Sequence, residues 1–361
     1  MKILFILKKR EIFDKNSDVY IGLSSGLYNS VKFVSDMLKT SQIQSKIYIA
    51  NDNNDIDREV TDYRPNYVVI EALWVVPEKF TVLQKLHPLV KWIIRIHSEL
   101  PFIAGEGIAM SWIGEYIKHR NVMIACNAPR MLEQMKFYTS MASPSYKYKV
   151  LYLPNHYPTT FKNKTSHFNS GDIIHIGCFG AVRPLKNHLI QALASIEFAT
   201  LINKKLHFHV NSDRLEMNGA PALQNLIGLF ENVSKKGHCL IHHSWQEHGE
   251  FKKTCENMDI GLQVSFSETF NIVSADLISQ GVPILSSSEL PWITKGSVCD
   301  PTSSKDIVGK LLETYNNPYH NVKTNQESLL NYVNKTKTIW KNYFLGEDED
   351  EISRGIGFCC V

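Results

Sequence analysis

The chain has 361 residues, 43% of them hydrophobic and 21% charged, with a formal net charge of +3. That length and balance fit a folded soluble protein and exclude a typical single domain. No run approaches the roughly 20 apolar residues of a membrane span, which excludes a spanning helix.

In chain order, the opening Met-Lys-Ile-Leu-Phe-Ile-Leu-Lys-Lys is too short for a signal peptide and reads as the buried first strand of a parallel sheet. A glycine-containing loop at 22–29 leads into a helix starting near Ser30. Strand-like runs at 2–7, 46–50, 67–71, 92–97, 122–126 and 149–153 alternate with helical stretches. The alternation restarts after residue 172, with runs at 173–178, 206–210, 239–242, 260–263 and 283–286. Two such blocks predict an α/β protein of two Rossmann-like α/β/α domains, with ligands in the cleft between them. The predicted boundaries are 1–160, a polar Asn- and Ser-rich linker at 161–171, a second domain at 172–324 and a last helix at 325–345. The acidic tail 346–361 carries Glu347 to Glu351 as a solvated run. The cysteines Cys126, Cys178, Cys239, Cys255, Cys299, Cys359 and Cys360 are odd in number and lack paired metal-ligand spacing. This predicts reduced thiols in a cytoplasmic setting and no structural zinc.

The most informative stretch is 267–283, Ser-Glu-Thr-Phe-Asn-Ile-Val-Ser-Ala-Asp-Leu-Ile-Ser-Gln-Gly-Val-Pro. Its apolar pattern from Phe270 to Ile278, closed by Gly281, predicts a helix with a glycine stop. Glu268 then lies just before the helix and Asp276 two turns along it. The free N–H groups around Phe270, Asn271 and Ile272 favour an anion such as a diphosphate. An acid on each side of that anion suits a nucleotide sugar, with sugar hydroxyls at Glu268 and ribose hydroxyls at Asp276. A bland amphipathic helix with a chance acid before it is the competing reading. A second motif, Asp-Ile-Ile-His-Ile-Gly-Cys-Phe-Gly-Ala-Val-Arg-Pro-Leu-Lys-Asn at 172–187, takes a strand through a glycine turn to Arg183 and Lys186. A guanidinium and an ammonium on one loop are apt phosphate ligands, against the alternative of two solvated surface cations.

Together these segments resemble the Glu-x7-Glu and Arg/Lys motifs of retaining glycosyltransferases of the GT-B fold, particularly the large family 4. Asp276 stands where the family has its second Glu, Asn271 where a Gly is usual, and Ala181 where the family Arg falls. The resemblance implies that Lys186 grips the donor diphosphate and that Arg183 substitutes for the missing Arg. It also implies that His97, ending the strand Trp92-Ile-Ile-Arg-Ile-His, faces the transferred sugar. Ser24, Ser25 and Gly26 would form the loop near sugar and acceptor, Pro154-Asn155-His156 resembles the family segment closing the first domain, and the resemblance implies a last helix that crosses back onto that domain. Glu99 is a weaker candidate, and Glu71 ends a strand without an assigned role. The implied reaction transfers a sugar with retention, without metal or cofactor, the nucleotide sugar being substrate. The letters Asp55-Ile-Asp57 and Asp348-Glu-Asp350 match a metal-binding Asp-x-Asp only in loop-like or tail segments.

Residues 1–170 carry 22 basic against 15 acidic side chains, so the positive charge sits in the first domain. A basic acceptor domain suits an anionic acceptor, and ordinary solvated surface explains the excess as well. The opening strand and the stretches at 54–60 and 69–80 resemble glycosyltransferases of tailed phages and other large DNA viruses. For those proteins a hydroxymethylated base in viral DNA is a credible acceptor, alongside glycans. Two other readings stay open: another GT-B reaction such as epimerisation, and a catalytically silent nucleotide-sugar-binding module.

Overall fold

In the computed structural model, residues 1–9, 25–41, 43–162 and 171–346 are described. Ser24, most of the expected linker and the tail from Glu347 lie outside them. The chain divides into two compact units, Met1–Pro158 together with the chain from Val333 onward, and Thr159–Tyr332.

The first unit is built on β1 (Lys2–Lys8), β2 (Gln44–Ala50), β3 (Tyr67–Glu71), β4 (Lys91–Ile96), β5 (Val122–Cys126) and β6 (Val150–Tyr152). Their order is β2-β1-β3-β4-β5-β6, and every pairing is parallel. The unbroken apolar run of β1 has a simple cause. Leu4 and Ile6 enter a core under the helices Asp55–Tyr63, Lys79–Leu86, Ala109–Tyr116 and Pro129–Ala142. Ile3, Phe5 and Leu7 enter a second core on the other face, against the helix Ser25–Lys39 and the Trp340 and Phe344 rings. Strands covered on both faces have no polar side to show.

The second unit holds β7 (Ile173–Val182), β8 (Lys205–Leu215), β9 (Cys239–His243), β10 (Ile260–Gln263) and β11 (Ile284–Ser286). Their order is β11-β10-β7-β8-β9, again all parallel. The order reverses between β7 and β10. In doubly wound sheets ligands gather at the carboxyl ends of the strands flanking such a reversal.

Several expectations are corrected. The first helix begins at Ser25 rather than near Ser30, so Gly26 sits in helix, not loop. Strands β7 and β8 run on to Val182 and Leu215, with an irregular register around Ala181. The last helix, Pro318–Leu345, starts earlier than predicted, while its grouping from Val333 with the first unit agrees with the expectation that it returns to the first domain. Its Trp340 indole donates to the Pro154 carbonyl at 2.8 Å. Asp55-Ile-Asp57 opens a helix, where Asp55 accepts from the Asn51 backbone and Asp57 meets His87.

Candidate functional site

In the second unit, the carboxyl ends of β7 and β10 bring Lys186, Glu268, Gln263 and Asn271 together. Beyond Val182 the chain turns through Pro184–Lys186, a single short helical turn, which carries Lys186 to a buried position. Gly180 lies beside it, and its backbone is what calls for glycine. At φ +108° it lies in the left-handed region, and a Cβ there would sit 3.5 Å from Lys186 Cε. The Lys186 ammonium lies 2.5 Å from Glu268 Oε1 and donates to Gln263 Oε1 at 3.2 Å. An ammonium has three donors, so these two partners leave capacity for one more. Gln263 also accepts from Asn271 Nδ2 at 2.8 Å and donates to the Phe179 carbonyl at 3.0 Å. This one buried amide therefore locks the loop after β7 to the start of the next helix.

That helix is Ile272–Ser279, two residues shorter at its start than the apolar pattern predicted. Phe270 lies outside it, and its ring is buried against Trp292 and Tyr332. Asn271 is the N-cap, with φ +57°, and its side chain accepts from the Ser274 N–H at 2.9 Å. Asn tolerates the left-handed region better than most residues with a Cβ, so it fills a backbone position that otherwise favours glycine. The cap takes the Ser274 N–H, and the helix start at Ile272 keeps its positive dipole end beside Lys186's partners. Asn271→Ala is expected to cost about 2 kcal/mol, combining a left-handed alanine with a lost cap. Asn271→Gly, which keeps the backbone but loses the cap and the bond to Gln263, should cost less than Asn271→Ala in urea unfolding.

Asp276 is buried on this helix and pairs with His248 Nε2 at 2.7 Å. His248 opens the neighbouring helix His248–Glu256. Arg183 is held by Glu216 at 3.0 Å, and Arg214 shares the same carboxylate at 2.7 Å. Burial alone would raise the Glu216 carboxyl, but the two guanidiniums outweigh it and hold it below the usual range. The structure thus gathers Glu268, Lys186 and Asn271 in one cluster and places Arg183 in a separate network of ion pairs. Gln263 and His248 were missed by the sequence reading. A glutamine closing the apolar strand Ile-Gly-Leu-Gln was the one available signal for the first.

The first unit has its own buried polar group at the ends of β3 and β4. His97 Nε2 lies 2.5 Å from Glu71 Oε2, and Arg95 Nη1 lies 3.4 Å from the same oxygen. Arg95 is wholly buried, donating to the Leu153 carbonyl and to Asn155 Oδ1, with its guanidinium 5.1 Å from the Trp340 ring centre. Burial would raise the Glu71 carboxyl, but Arg95 and His97 bring it below its ordinary range. His97 is lowered, first by burial and then by Arg95, against the pull of Glu71. Arg95 is thus the counter-ion, and a neutral His97 donates its Nε2–H to Glu71, which puts the ring lone pair on Nδ1. Directly after Glu71, Ala72 has φ +70°, a strained turn for a residue with a Cβ. Glu99 is buried and paired with Arg130 at 2.9 Å. Ser25 starts the first helix, and Ser24 lies outside the described residues.

No protein-family model matches the chain, and no curated protein matches it in sequence. Solved structures do match in shape. A sucrose-phosphate synthase from Thermosynechococcus elongatus superposes with a TM-score of 0.66 at 10% identity, over 96% of this chain and 100% of the other. The fold is GT-B. An E. coli trehalose-6-phosphate protein bound to UDP-2-fluoroglucose gives 0.67 at 8% identity, over 95% of this chain and 98% of that one. A trehalose-6-phosphate synthase studied for glycosyl transfer with retention gives 0.65 at 8% identity, over 97% and 99%. No helix among the described residues is long and apolar enough to cross a membrane.

Proposed function

We propose that this GT-B protein is a retaining glycosyltransferase that takes its sugar from a nucleotide-sugar donor without a metal. The observation that carries the proposal is the buried Lys186–Glu268 pair beside the N-terminus of Ile272–Ser279, at the reversal point of the second sheet. Cleavage of the bond between the anomeric carbon and the diphosphate moves negative charge onto the leaving phosphate. Lys186 and the helix start would stabilise that charge, and Glu268 would hold sugar hydroxyls. The Asp276 carboxylate, oriented by His248, would take the ribose hydroxyls. In the first unit, neutral His97 would accept from a sugar hydroxyl. The reading is supported by neighbours of the same fold, one bound to UDP-2-fluoroglucose and one studied for transfer with retention.

His248→Ala should weaken donor binding about tenfold, the loss of one oriented hydrogen bond, and should also lower the thermal midpoint because the buried Asp276 loses a partner. Titration calorimetry reads this, and an unaltered affinity would remove Asp276 from the donor site.

A hydroxymethylated base in DNA is the finer acceptor assignment, favoured by the basic balance of residues 1–170. A panel of UDP-, GDP-, ADP- and dTDP-sugars, tested for nucleotide release in chelator with and without such DNA, decides both points. Release from one donor supports transfer, and stimulation by the DNA supports that acceptor. Silence with tight donor binding would favour the silent module, a reading to which Ala181 in place of the family Arg lends weight.

A further inference from the structure

Another cluster of side chains lies in the second unit, toward the amino-terminal parts of β7 and β8. Strand alternation creates it. Leu206, Phe208 and Val210 enter the core of this unit, so His207 and His209 project from the opposite face. Parallel register sets His175 of β7 directly across from His207, and Gly177 across from His209. One ring nitrogen each from His175, His207 and His209 then lie within 4.8 Å of one another.

Two of those nitrogens are closer still. His175 Nδ1 and His209 Nε2 are 3.0 Å apart. Nitrogens bound at 2.0–2.1 Å to one tetrahedral zinc ion sit about 3.3 Å apart, so the pair already has nearly the required spacing. On its far side, His209 Nδ1 lies 2.8 Å from His243 Nε2, with the two rings stacked. A proton on His209 Nδ1 shared with His243 leaves the lone pair on Nε2, facing His175. This is the arrangement by which a partner fixes the tautomer and aim of a metal-binding histidine. Burial, and then the neighbouring imidazoles of His243, His175 and His207, push His209 down to about 3. His207 is also lowered, by burial and by His175. Neutral rings with lone pairs to offer are what a metal ion needs. His175 and His207 are only partly buried, so an ion has access.

We propose that His175, His207 and His209 bind one transition-metal ion of the zinc class, with His243 positioning His209. Imidazole nitrogens suit zinc, cobalt, nickel and copper ions rather than magnesium or calcium. The cysteine spacing predicts no zinc site, and this one uses no cysteine. Lys186 and Glu268 follow the carboxyl ends of β7 and β10, so the proposed ion is not part of the donor site. It would pin β7 to β8 and stabilise the second unit by mass action. The proposal does not rest on the glycosyltransferase reading.

The test is a Co(II) titration of the full chain after chelation and dialysis, followed by visible absorption, with thermal melting in Zn(II) alongside. The expected result is one Co(II) per chain with the absorption of a low-coordinate site, and a zinc-dependent rise in melting temperature. Both should vanish in a His175→Ala/His207→Ala double variant whose metal-free melting matches wild type. His243→Ala should weaken affinity about 10- to 100-fold, as loss of an orienting partner does. A cobalt spectrum that survives in the double variant places the metal elsewhere and overturns the proposal. So does a wild-type chain with neither a visible band nor a zinc-dependent shift.

Discussion

Lys186→Met is expected to lower kcat by about 10²- to 10³-fold, the usual cost of losing one preorganised donor to developing negative charge. The same substitution should also destabilise the second unit. Lys186 and Glu268 side chains are only 9% and 8% exposed. Removing one member of a buried ion pair costs about 3–5 kcal/mol, because the other charge is left without a partner. The two effects separate in a Lys186→Met/Glu268→Leu double variant. Replacing both partners by apolar groups of similar volume is often neutral for stability. The double variant should therefore regain most of the lost stability, read by denaturant unfolding, while kcat stays at least as low as in Lys186→Met. Recovery of turnover together with stability would make the pair a structural device and remove it from the chemistry.

The second large effect is a loss of stability in mild acid. His188, at the start of the helix His188–Leu201, is fully buried, and among the described residues neither ring nitrogen has a hydrogen-bond partner. Burial, reinforced by Lys186 and Arg183, pushes it down to about 3. His156 in the first unit is pushed down to about 4 by burial and by Lys337. In both cases the folded value lies below the unfolded value near 6.5, so the unfolded chain binds more protons in between. Their contribution is complete above pH 6.5 and drains away as pH falls toward 4 and 3. At pH 5 the solution lies about 1.5 units below the unfolded value of each ring, a loss of about 2 kcal/mol apiece at 1.36 kcal/mol per unit. Each unit carries one of the two, and domains are stable by only about 5–15 kcal/mol. Glu71 and Glu216, whose carboxyls are lowered, act only below the carboxylate range and leave this window alone. Calorimetric scans at pH 7.5 and 5.0 should show this loss, and His188→Leu and His156→Leu should each remove about 2 kcal/mol of it. Melting that is flat down to pH 5 would contradict the burial of both rings.

Much of the architecture could be read from the chain because its strands are buried on both faces. Lys-Ile-Leu-Phe-Ile-Leu and Trp-Ile-Ile-Arg-Ile are legible as strands for that reason, and their alternation with helices implies parallel sheets. Element ends were less legible. Nothing local marks Ser25 as a helix start, and Asn271 looked like a departure until its left-handed backbone gave it a reason. Pairings set by register were out of reach. Glu71 and Arg95 stand side by side on β3 and β4, 24 residues apart in sequence, and no local pattern links them. His175 meets His209 only once β7 and β8 pair. Gln263 and His248 belong to the same class, being polar residues whose partners come from other elements.

The central claim is that the carboxyl ends of β7 and β10 bind a nucleotide diphosphate through Lys186. It is tested most directly by titrating UDP, GDP, ADP and dTDP into the wild-type chain and the Lys186→Met variant in a calorimeter. One of the four should bind at a single site per chain, at least tenfold more weakly in the variant. Absence of binding by all four, or binding that Lys186→Met leaves unchanged, would contradict the claim.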